Sequence, residues 1–155
     1  MNVLSLWEPW ASLLIHGYKQ FETRSWQTNI RGQISIHAAK RFDREQKKIC
    51  LSEPFYPVLH QAGIIDESGN IHFTLGAVLG TVDLVDMWQT GGNGTIRLLG
   101  SNQVRRISET EINYGDYSKG RFAWETANPR RFDTPIITNG HQGLWLWEPR
   151  NFPTS

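Results

Sequence analysis

The sequence predicts an α+β fold in which a small, strongly bent β-barrel carries flanking helices. Three observations point there. About six short strand-like segments alternate with only two or three helical ones, and the strands cluster toward both ends of the chain. The longest strand signal, residues 76–87, contains Gly76 and Gly80, which mark a bend or bulge of the kind a tightly coiled sheet needs. The last strand-like pieces are punctuated by Asn-Pro, Thr-Pro and Asn-Gly, three strong turn signals.

Residues 3–7 (VLSLW) read as a short strand. A helix follows in EPWASLLIHG. Pro9 suits a first turn, where its missing N–H is no loss, and Trp10, Leu13 and Leu14 recur at helical spacing. Gly17 is a natural C-terminal stop. KQFETRSW reads as extended. GQISIHAA alternates, with Ile34, Ile36 and Ala38 on one face and Ser35 and His37 on the other. Residues 43–51 form an amphipathic helix with Asp43 as N-cap, SEPFYP breaks it, and VLHQAG adds a second short helix. Residues 89–120 are polar and Gly-rich. They read mostly as a long loop or lid inserted into a single domain spanning 1–155, with a short helix within 103–113. RFAWETA, RRFDTP and GLWLWEP then give three short strands.

The 155 residues suit one domain, and 39% hydrophobic with 20% charged residues is a globular composition. The lone Cys50 fits a reducing compartment. No apolar stretch reaches the roughly 20 residues of a membrane span, and no signal peptide is visible. A cytoplasmic location away from membranes is expected. A net charge of +1 argues against a broad duplex-DNA surface but allows a local basic groove. Seven tryptophans are many for this length. Most fill the core, while one or two are candidates for a stacking platform.

Lys19, Glu22 and Arg24 fall within six residues, interleaved with Phe21 and Trp26, just after a Gly turn. In an extended chain Glu22 and Arg24 share a face. Such a set suits either a solvated ion-pair cluster or a pocket for a polar, planar ligand. His37, Lys40 and Arg41 follow. A lone strand histidine is commonly structural, and the two cations face solvent or a phosphate. The remaining histidines show no metal-ligand spacing, and CxxC, HExxH, Walker, GxGxxG and GxSxG motifs are all absent. No metal or cofactor is expected.

GYKQFETR, residues 17–24, matches G-x-K-x-x-E-x-R and resembles the signature of the ASCH (activating signal cointegrator homology) domain. PWASLLIHG before it, RGQISIHAAKR at 31–41 and GLWLWE near the end are similar to that family's first helix, following strand and closing strand. The resemblance implies a PUA-like barrel and an association with RNA or modified bases. It places Gly17, Lys19, Glu22 and Arg24 along a cleft. Lys19 and Arg24 would hold a phosphate or base carbonyl, Glu22 would accept from an exocyclic amine, and Trp26 or Trp124 would stack on the ring. His37 and Lys40 join the expected ligand-binding set. RNA or a nucleoside is therefore the expected partner.

Two enzymatic alternatives accompany that expectation. Small proteins similar to ASCH domains remove an acyl group from N4-acetylcytidine through a Lys, a Thr and a Glu. Here Lys19, Thr23 and Glu22 supply those groups, although the threonine's place three residues after the lysine is taken by Glu22. A ribonuclease would use Lys19, Glu22, Arg24 and His37 as acid, base and phosphate clamp.

Overall fold

Alternation over the first residues forms β1 (Asn2–Leu6), and the apolar stripe after Pro9 winds into α1 (Trp10–Ile15). The chain continues through β2 (Phe21–Arg24), β3 (Gly32–Ala38), α2 (Arg44–Cys50), α3 (Phe55–Gln61) and β4 (Ala77–Thr90). It ends through β5 (Thr95–Leu98), β6 (Val104–Arg106), α4 (Glu109–Asn113), β7 (Phe122–Ile137) and β8 (Leu144–Leu146). The computed structural model describes residues 1–149, so the end of the expected 1–155 domain lies outside the described residues. Among the described residues no helix is long and apolar enough to cross a membrane.

The strands form one mixed sheet in the order β2-β7-β4-β3-β1-β8, with β5 and β6 continuing from the far end of β4. β1 and β3 run parallel, and the other pairs are antiparallel. The sheet is bent like a barrel around Leu4, Ile34, Ile36, Val82, Leu84, Met87 and Trp124. Its hydrogen-bond ladder does not close. The terminal strands β2 and β8 are only four and three residues long, and they are not paired with each other. A side chain spans the opening instead: Arg24 Nη2 of β2 donates to Ser5 O of β1 at 2.8 Å. A second cluster, including Leu13, Cys50, Phe55, Leu59 and Tyr114, seats the helices on the sheet's flank.

Asp43 caps α2 as expected. Its side chain accepts from Gln46 N, and Gln46 returns a bond to the Asp43 N–H, completing a capping box. Ser35 and His37, expected on a polar face, are both buried. β3 is a central strand, Met1 Sδ covers Ser35, and Trp145 lies edge-on to His37.

One expectation changes, and a second gains detail. RFAWETA and RRFDTP form a single 16-residue strand, β7, rather than two strands around a turn. Asn128 takes φ 52° and the β4–β7 register shifts between Thr81 and Asp83, so Asn-Pro makes a bulge. The ladder shifts again between Val78 and Gly80, opposite the Thr-Pro pair. Residues 89–120 are turn and loop for just over half of their length, but they hold more regular structure than the single short helix expected. They hold the end of β4, the hairpin β5–β6 and helix α4, because Trp88, Ile96 and Ile107 bury a small core with Phe21. The Gly-rich composition masked the short apolar alternation of Thr95–Leu98.

Candidate functional site

Gly17 adopts φ 82° and turns the chain out of α1, so that Lys19 points inward and β2 starts at Phe21. Lys19 is 2% exposed. Its ammonium lies 3.1 Å from Glu22 Oε1 and also donates to the Phe21 carbonyl. The second Glu22 oxygen accepts from Arg24 Nε at 3.1 Å. Glu22 therefore sits between two cations, one buried behind it and one facing the cleft. With Nε on Glu22 and Nη2 on Ser5 O, Arg24 keeps its Nη1 group without an acceptor among the described residues. Thr23 Oγ1 accepts from the Asp116 N–H at 3.0 Å, tying β2 to the turn after α4.

Arg24 opens onto a cleft of about 1160 Å³. One wall comes from Glu22, Thr23 and Arg24 of β2, and another from residues 113–116 with Arg121. The ends of β1 and β3 supply Ser5, Leu6, Trp7, His37 and Lys40, while Trp10, Ile49, Phe55 and Tyr114 form an apolar side. The loop 139–143 closes the rim. Three cations, Arg24, Lys40 and Arg121, thus share one cleft with aromatic rings. Arg121 donates to Asp116 O at 3.1 Å, and Lys40 Nζ donates to Asn139 Oδ1 at 2.7 Å. Trp7 is 47% exposed, with the Arg41 guanidinium 4.6 Å from its ring centre.

His37 lines the cleft, yet its ring is fully engaged. Nε2 lies 2.9 Å from the Thr138 carbonyl, which can only accept, so Nε2 carries the proton. Nδ1 then accepts from Ser5 Oγ at 3.2 Å, and Ser5 Oγ accepts from Trp145 Nε1 at 2.9 Å. Burial lowers the His37 pKa from its usual value, consistent with a neutral ring. A Cβ on Gly140 would meet that ring at 2.3 Å, so the loop packs directly on the imidazole. Deeper still, Glu8 is fully buried, and its carboxylate takes both the Ser12 N–H, at 2.8 Å, and the Ser12 hydroxyl. Burial pushes the Glu8 carboxyl up to about 7. Burial likewise pushes the nearby Cys50 thiol up to about 12, which makes it inert. Among the described residues no His, Cys, Asp and Glu side chains gather as a metal-binding group.

The structure therefore brings Glu22, Thr23, Arg24, His37 and Lys40 to one cleft. Gly17 and Lys19 act from behind it and do not line it. Trp124 is fully buried in the barrel, and Trp26 stands edge-on against it outside the cleft. Neither ring lines the cleft, whereas Trp7 does. Sequence reasoning did not single out Trp7, Arg121, Tyr114 or Asp116 for the site. Trp7 had a signal, as an aromatic ending a strand just before a helix. Arg121 and the 113–116 turn had none, because only tertiary packing brings them to β2.

The family model that matches the chain is the ASCH domain, over residues 4–136. Activating signal cointegrator 1 of Mus musculus is 37% identical over 142 residues, covering 92% of this chain and 21% of that protein. Activating signal cointegrator 1 of Homo sapiens is 37% identical over 83 residues, covering 54% of this chain and 14% of that protein. The chain thus spans about a fifth or less of the length of the curated relatives it matches. The crystal structure of ASCH from Zymomonas mobilis aligns with a TM-score of 0.50 at 16% identity, covering 96% of this chain and 87% of that one. At that identity the likeness is one of fold.

Proposed function

This chain belongs to the ASCH-domain family, and from that premise we propose that it binds RNA by seating a nucleotide in the cleft of Arg24, Lys40 and Arg121. The observation that carries the reading is the convergence of three cationic side chains on one aromatic-lined cleft in a chain of net charge +1. Arg24 holds a phosphate or base carbonyl through its free Nη1 edge. Glu22, fixed between Lys19 and Arg24, accepts from an exocyclic amine. Trp7 offers a flat, half-exposed face to a base, in the manner of single-strand stacking platforms. Lys19 acts as a positioning residue by orienting Glu22.

The enzymatic alternatives draw less support from the geometry. A general base presents a lone pair to the proton it removes, yet the Lys19 ammonium is engaged by Glu22 and the Phe21 carbonyl, away from the cleft. Both His37 ring nitrogens are satisfied within the fold, which leaves no hydrogen-bond position for a nuclease's acid or base.

The test is fluorescence anisotropy with a labelled single-stranded RNA, comparing wild type and Arg24→Ala. Loss of a charge-assisted contact of about 2 kcal/mol weakens binding more than tenfold. Equal binding by both proteins refutes the cleft. In parallel, N4-acetylcytidine is expected to stay intact. Conversion to cytidine that disappears in Lys19→Ala would replace this reading with the hydrolase.

A further inference from the structure

We propose a second subsite on the same sheet face: a basic track over Lys119, Arg97 and Arg106 that carries the sugar-phosphate backbone of single-stranded RNA out of the cleft. This inference rests on the cleft reading above and commits it to a polymer rather than a free nucleoside.

The ladder places the track. Directly opposed residues on neighbouring strands share a face. Arg24 opposes Phe122, Phe122 opposes Gln89, Gln89 opposes Arg97, and Arg97 opposes Val104. That row begins at the cleft and crosses β2, β7, β4, β5 and β6. Arg106 stands two residues beyond Val104 and so shares its face. From Arg24 to Arg97 is three interstrand steps, about 14 Å at ~4.8 Å each.

A depression of about 280 Å³ is lined by Gln89, Thr90, Arg97, Val104 and Lys119. Its lining residues Lys119 and Gly120 immediately precede Arg121, which lines the main cleft.

The charge is unbalanced. Residues 89–106 carry Arg97, Arg105 and Arg106 and no Asp or Glu. Arg105 points to the opposite face, where it lies over the Phe21 and Trp88 rings and pairs with Glu125 at 3.5 Å. Arg97, Arg106 and Lys119 are exposed and have no acidic partner among the described residues. Unpaired cations in a row attract a polyanion, and Val104, 59% exposed, adds an apolar surface among them. A nucleic acid strand offers both regularly spaced charges and flat apolar bases.

The experiment titrates wild type, R24A and the double variant R97A/K119A with UMP and with a uridine octanucleotide across a range of salt. Both track side chains are exposed, so the double variant keeps the fold. UMP, which reaches only the cleft, is expected to bind wild type and R97A/K119A alike. The octanucleotide binds wild type more tightly than UMP does, and R97A/K119A loses at least tenfold of that gain at low salt. The slope of log K against log salt falls by about 1.4 for two lost phosphate contacts on a single strand. If R97A/K119A binds the octanucleotide like wild type while R24A does not, the track is refuted and the cleft stands. If neither probe binds wild type, the cleft reading fails and the track falls with it. If an oligoglutamate peptide displaces the octanucleotide with equal affinity and that binding needs Arg97 and Lys119, the face docks an acidic protein and the proposal is overturned.

Discussion

Lys19 changes meaning between sequence and structure. Its place in G-x-K-x-x-E-x-R suggests a ligand contact, yet the fold buries its ammonium behind Glu22. Removing one partner of a buried pair leaves the other charge unmatched. We expect Lys19→Ala to lower stability by about 3 kcal/mol, read from urea unfolding midpoints. A loss below about 1 kcal/mol would show that Arg24 alone satisfies Glu22. The same logic separates His37 from catalysis. Its residue type and strand position were legible, whereas the Ser5 and Thr138 contacts that occupy both ring nitrogens depend on segments far apart in sequence.

Gly80 is the point where β4 bends, and the sequence expectation of a bulge there holds. The reason is steric. A Cβ at Gly80 would lie 2.1 Å from the Arg130 carbonyl oxygen, a backbone atom that cannot swing away. We expect Gly80→Ala to cost about 3 kcal/mol, and a melting temperature unchanged from wild type would contradict that packing. β2 shows how the inserted segment contributes. As a terminal strand it leaves backbone donors open, and Glu111 of α4 accepts from the Gln20 N–H just before it. Residues 89–120 thus brace the strand that carries Glu22 and Arg24. Their short strands were hard to read because glycines interrupt the apolar alternation, and helix α4 has no fully buried residue to give it a clear stripe.

Across the whole molecule, buried titratable groups pull stability in opposite directions with pH. Burial raises the Glu8 carboxyl from 4.5 to about 7, so its neutral form suits the fold. That contribution is fully present below pH 4.5 and is lost as pH rises through 7. His37 and His16 are both lowered from 6.5, first by burial, so the unfolded chain binds their protons more readily. Their contribution is present above pH 6.5 and is lost as pH falls below it. Glu111, also raised by burial, acts in the same sense as Glu8. The difference between E8Q and wild type isolates Glu8. We expect urea midpoints to coincide near pH 4 and E8Q to be the more stable at pH 8. A difference that stays constant across that range would show that Glu8 does not titrate with folding.

The sequence by itself determined the elements whose signals are local. These are the capped helix after Asp43, the Gly17 turn, the alternating strands, the bend at Gly80, and Glu22 and Arg24 on one face of an extended segment. The ASCH motif was legible for the same reason, since it spans eight consecutive residues. Only the tertiary structure decided what surrounds it. Bending of the sheet brings Ser5, 19 residues from Arg24, within hydrogen-bond reach of it. The same bending sets Arg121, Trp7 and loop 139–143 around the cleft, sends Lys19 inward and takes Trp124 for the core. Strand period and turn chemistry are encoded within a few residues. A cleft formed where distant strands curl toward each other depends on how all of them pack at once.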